Sequence, residues 1–199
     1  MKKKVVFACI IFLVMAVFIF IPAPTSKLYI RIYFDEIQGN NCELYYAVDG
    51  MNAFSREQCI TSAIDYNRKM VEFALEPSLE GHVTGLRLDL PGEPQLLCIK
   101  SITVSNAGVI KRQYNPCRFF AQDNITYSND IDAISLATAK ARAYFNAVSN
   151  DPYLILSDGL SRQIMDCYSH FTLTKLVVCV FLAGCFFLSK KKIFKEDFL

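Results

Sequence analysis

The chain has 199 residues, a formal net charge of +2 and 53% hydrophobic residues, so one folded domain of about 150 residues fits between its two strongly apolar ends. Residues 22–172 carry 13 Lys and Arg against 17 Asp and Glu, a net of −4, while the positive charge collects at Lys2, Lys3, Lys4, Lys175, Lys190, Lys191, Lys192 and Lys195. A mildly acidic middle gives no electrostatic reason to expect nucleic acid as a partner.

Residues 5–21, VVFACIIFLVMAVFIFI, are seventeen consecutive apolar residues, which at a rise of about 1.5 Å each just cross a hydrocarbon core. The run is longer than a signal-peptide core, and Pro22-Ala23-Pro24 offers no small-x-small cleavage site, so an uncleaved anchor is expected rather than a leader. Residues 176–188 form a second apolar run, and a span over 173–189 results if Lys175 snorkels to the interface. The basic residues of 1–4 and 190–199 place both termini on the cytoplasmic side and residues 22–172 outside. Leu182-Ala183-Gly184-Cys185 has the letters of a lipoprotein box, but such a box works only behind an N-terminal leader.

Three of the eight cysteines, Cys9, Cys179 and Cys185, fall in the apolar runs. Cys42, Cys59, Cys98, Cys117 and Cys167 remain, an odd number without CxxC or His-bracketed spacing, so no metal site or redox motif is indicated. A Cys42–Cys59 bridge is one candidate pairing, since sequence does not determine connectivity, and Cys98 within LLCIK reads as a core residue.

The middle reads as strands and turns. LYIRIYFD (28–35) alternates Ile30, Ile32 and Phe34 against Tyr29, Arg31, Tyr33 and Asp35, and 42–48 alternates after Gly39-Asn40-Asn41, which suggests a hairpin. Residues 51–67 are mixed, with 55–58 a loop. MVEFAL (70–75) alternates again. LRLDL is followed by Pro91, Gly92 and Pro94, which bend the chain before a second apolar strand over 96–104, and the two read as a central strand pair. Leu97 and Ile99 share one parity and Ile102 and Val104 the other, so a β-bulge is expected near Lys100-Ser101. Residues 109–114 and 118–120 are short strand candidates. Residues 132–149 fit a helical stripe and an alternating strand equally, 153–156 reads as a last strand, and 158–171 as a linker, helical or not. Many short strands between turn signals point to a mainly β fold, an antiparallel β-sandwich flanked by two transmembrane helices.

The order of IYFD, VEFAL, LRLDLPGEPQLLCIKSI and DPYLIL over residues 28–156 resembles the jelly-roll-like sandwich held outside the membrane in some bacterial multi-span glycosyltransferases and cell-surface polysaccharide proteins. The resemblance implies that 132–149 is mostly strand. It does not carry over catalysis, because this chain has no catalytic glycosyltransferase segment and two expected spans only.

Candidate side chains are few. Tyr29, Tyr33 and Tyr45 could stack on the C–H faces of sugar rings, and Arg87 with Asp89 could form a polar recognition pair; packing and turn hydrogen bonds are the commoner uses of such residues. His82 and His170 lack nucleophile partners. Asp35-Glu36 could assist a calcium ion but reads more simply as a solvated turn, and Asn124-Ile125-Thr126 is a lone glycosylation sequon. No catalytic residue, cofactor or metal is called for. The expectation is a membrane-anchored, extracytoplasmic, non-catalytic binding or assembly module, its partners being the lipid bilayer and either cell-envelope polysaccharide or another membrane protein. The alternative is a fragment or accessory subunit of a polytopic membrane glycosyltransferase.

Overall fold

The computed structural model describes residues 26–49, 53–106, 110–168 and 180–181. Among them no helix is long and apolar enough to cross a membrane; the expected spans at 5–21 and 173–189 lie outside the described residues apart from Val180 and Phe181, which are helical and exposed. Residues 26–168 form one compact unit.

Among the described residues, eleven strands build two antiparallel sheets. In chain order they are β1 (Leu28–Phe34), β2 (Asn41–Val48), β3 (Cys59–Ala63), β4 (Met70–Leu75), β5 (Val83–Asp89), β6 (Gln95–Asn106), β7 (Ile110–Tyr114), β8 (Ile125–Asn129), β9 (Ile131–Ala137), β10 (Arg142–Ala147) and β11 (Tyr153–Leu156). One sheet runs β4-β1-β6-β10-β9, with β7 also on β6, and the other runs β3-β2-β5-β11-β8. The two-residue period explains the layering, because alternate side chains leave opposite faces of a strand. Leu28, Ile30, Ile32 and Phe34 of β1, Leu44 of β2, Leu86 and Leu88 of β5, Ile99 and Ile102 of β6, Phe145 of β10 and Leu154 of β11 join one buried cluster. A mainly β sandwich around a single core is thus established.

The bulge predicted in β6 is present. Tyr33 lies opposite Ser101 while Phe34 lies opposite Ile99, so one extra residue lets both Ile99 and Ile102 face the core. Residues 132–147 fall in β9 and β10 and the connection between them, a single 3-10 turn and Ala141 in the left-handed region at φ 49°.

Several expectations are corrected. The two expected strand pairs are not pairs: β1 and β6 belong to one sheet, and β2 and β5 to the other. Alternation tells a strand which face to bury but not which neighbour to bond, and a crossing between layers satisfies the pattern as well as a hairpin does. Residues 118–120 are not a strand, because Pro116–Phe119 is a short helix capped by the Asn115 side chain. β3 and β8 are strands where the sequence shows no alternation. The region read as a linker holds the helix Asp158–Met165, capped by Ser157, and its Leu160, Ile164 and Met165, with Tyr168 beyond, are part of the core.

The Pro91-Gly92 bend is where three connections meet. Gly39, at φ 103°, would place a Cβ 2.6 Å from the Cβ of Pro91, and a Cβ on Gly92 would lie 2.8 Å from the carbonyl oxygen of Asn150. Positive φ and a rigid proline neighbour both oppose a side chain at position 39. Gly39→Ala is expected to cost about 2 kcal/mol, read as a fall in the urea midpoint at unchanged slope.

Candidate functional site

The outward side chains of β2, β5 and β11 meet because their registers align them. Tyr45 lies opposite Arg87, Glu43 opposite Asp89, and Tyr153 opposite Asp89. The Arg87 guanidinium is held on every side. Its Nε and Nη2 donate to the two Asp89 carboxylate oxygens at 2.7 and 2.6 Å, its carbon sits 3.6 Å from the centroid of the Tyr153 ring and 5.0 Å from that of Tyr45, and Asp151 lies 3.8 Å away. A guanidinium between two aromatic faces gains from both ring quadrupoles, and the parallel contacts fix its plane. Burial pushes the Asp89 carboxyl above its ordinary value, with Arg87 pulling it partly back; for Arg87 burial works the other way and the Asp89 contacts more than offset it.

Tyr45 is nearly covered, at 9% exposure. Its hydroxyl donates to Glu43 at 2.7 Å, and this bond, with burial, holds the phenol well above its usual pKa. It is therefore a support for Arg87 rather than a surface for a ligand. The exposed aromatic surface lies one strand further on. Tyr127 of β8 is 52% exposed, and its ring packs at a tilt on Tyr153 with centroids 5.9 Å apart. Tyr45, Arg87, Tyr153 and Tyr127 thus form a row across four strands, covered at one end and open at the other.

The structure brings together three of the five residues singled out from sequence, Tyr45, Arg87 and Asp89. Tyr29 and Tyr33 lie instead on the outer face of the other sheet, on β1, where Tyr29 packs under Arg31 and Arg31 pairs with Glu72 and donates to Ser105 at 3.1 Å. Tyr153 and Tyr127 were missed. For Tyr153 a signal existed, since Leu154 and Leu156 inward require Tyr153 outward; NITYSN around Tyr127 has no alternation to read.

The Cys42–Cys59 bridge is not formed, and both thiols are free. Cys42 lies opposite Ser62 and points into the core, whereas Cys59 lies opposite Tyr45 on the outer face. Cys98 is buried, at 9% exposure, as the sequence suggests, although it lies outside the main core cluster. It sits on an outer face and donates to Asp35 at 3.3 Å, and Arg142 Nε reaches the same carboxylate at 2.8 Å. Burial opposes the Asp35 charge, but those bonds outweigh it and lower the pKa. Such a carboxylate stabilises the fold above its unfolded pKa and loses that contribution as pH falls through the lower folded value. Asp35→Asn is expected to flatten the acid limb of stability below about pH 4, followed by urea unfolding at several pH values.

No group of three or more His, Cys, Asp or Glu suited to a metal occurs among the described residues. Compared with known protein families, curated proteins and solved structures, the chain matches none.

Proposed function

We propose that this domain is a non-catalytic recognition module that takes glycan rings on the tyrosine row of β11 and β8, with Arg87 and Asp89 as its fixed base. The observation that carries this reading is the pair Tyr153–Tyr127, with Tyr127 open to solvent and Tyr153 pinned from below by a cation it covers at 3.6 Å. A pyranose presents an apolar C–H face, and a ring already held in place loses little freedom on stacking against it. The fold is jelly-roll-like, related to the extracytoplasmic domains of membrane glycosyltransferases and polysaccharide proteins. Residues 5–21 and 173–189 hold it at the membrane with both termini in the cytoplasm, a reading that rests on the two apolar runs and the lysines beside them. Its partners are the bilayer and a cell-envelope polysaccharide.

The test is titration of the full chain in detergent micelles with cell-wall polysaccharides. Saturable binding is expected, and Tyr153→Ala should weaken it about tenfold. Absence of binding to every polysaccharide would remove glycan recognition and leave assembly with another membrane protein.

A further inference from the structure

The two sides of the sandwich are closed differently. On one side β3 and β4 meet: Asp65 bridges Met70, and the Glu72 N–H donates to Ser62 at 3.2 Å. On the other side one sheet ends in β9, with β7 beside the far half of β6, and the other sheet ends in β8. Strands β8 and β9 part at Asp130, which has φ 54° and accepts the Val148 N–H at its carbonyl, and each enters a different sheet.

Between them lies a cleft of about 650 Å³ floored by Phe120, Ile125, Ile131, Ile134 and Leu136. The last four are only partly buried while packing against the core. Consecutive residues line it, 125–128 from β8 and 131–134 from β9. Both parities can face one cleft only where it runs along the hydrogen-bonding edge of a strand rather than across a face, because successive side chains leave opposite faces. The cleft therefore combines uncovered core with free strand edges.

We propose that this cleft receives an extended segment of a partner polypeptide, added as a further strand along β9. Both strands pair with a single neighbour among the described residues, β9 with β10 and β8 with β11, and neither 125–129 nor 133–137 carries a charge; β9 is favoured because it offers the longer edge, seven residues against five. Exposed edges of this kind are usually blunted by charge or a bulge. Here the device is confined to one end, where Asp132 is the extra residue between Ile131 and Ala133 in the pairing with β10. Asp132 is also the one charged residue lining the cleft, and no Lys or Arg lines it. The complementary segment alternates apolar side chains, which enter the gap, and carries Lys or Arg opposite Asp132. Backbone bonds along β9 supply affinity, and the cation sets the register.

The probe is a synthetic nonapeptide, KVTVTVTVK, offered to the full chain at about 1 mM, with a control in which the threonines are replaced by proline, which cannot donate to a ladder. Amide exchange in β9 is expected to slow about tenfold with the first peptide and to stay unchanged with the second. Asp132→Lys, at an exposed position, should weaken the effect about threefold at low salt and less at high salt. Equal protection by both peptides, protection confined to β8, or no protection at all would overturn the proposal. So would protection of β9 by a cell-wall polysaccharide but not by the peptide.

Discussion

A fragment of residues 26–160 is expected not to fold, whereas 26–168 should give a cooperative urea transition with the far-ultraviolet signature of a β protein. The sequence alone suggests cutting near residue 160, because DPYLIL looks like the end of the sheet and residues 158–171 look like a connection. Cutting there removes Ile164, at 1% exposure, Met165 and Tyr168, at 5% each, and the buried Cys167. Each large apolar side chain contributes about 2 kcal/mol by burial, so the loss is comparable with the whole stability of a small domain. It also removes the Tyr168 hydroxyl that donates to the Glu76 carbonyl at 2.5 Å, a tie between the end of the helix and the end of β4. Circular dichroism and urea titration of the two fragments decide the matter. Equal stability would mean that the helix is an ornament on a core already complete.

The second large effect is expected at Arg87. Removing it as Arg87→Ala leaves Asp89, whose side chain is 13% exposed, without its two donors. An uncompensated, largely buried carboxylate costs about 3 kcal/mol, far more than an exposed ion pair contributes. It also removes the platform under Tyr153. The double change Arg87→Met with Asp89→Leu should recover most of the stability, since replacing both charges leaves nothing unsatisfied, but it should not restore ligand affinity because the cation beneath Tyr153 is gone. Urea unfolding of the two variants separates these effects. A small cost for Arg87→Ala would mean that water readily satisfies the Asp89 carboxylate.

Legibility in the sequence depends on the range of each signal. The strands β1, β4, β6 and β11 and the bulge in β6 are legible because a two-residue period is written into consecutive residues. Pairing is a long-range property, so Arg87 is placed on a strand but not on a sheet, and β5 and β6 look like partners although they lie in different layers. β3 and β8 are short and bury little, with no apolar alternation to reveal them. The site is half legible for the same reason. Arg87, Asp89 and Tyr45 stand out in their own strands, whereas their meeting with Tyr153 and Tyr127 depends on β11 lying between β5 and β8, which no local pattern encodes.

The row of tyrosines can be tested directly, because the chain contains ten tyrosines and no tryptophan. Incorporating ring-labelled tyrosine and following the ring resonances of the full chain during titration with a cell-wall polysaccharide reports each aromatic side chain separately. If glycan rings stack on β11 and β8, the Tyr127 and Tyr153 resonances move together and saturate, while Tyr29 and Tyr33 on the other sheet stay fixed. Movement of Tyr29 and Tyr33 with Tyr127 and Tyr153 unchanged would contradict glycan recognition at this row.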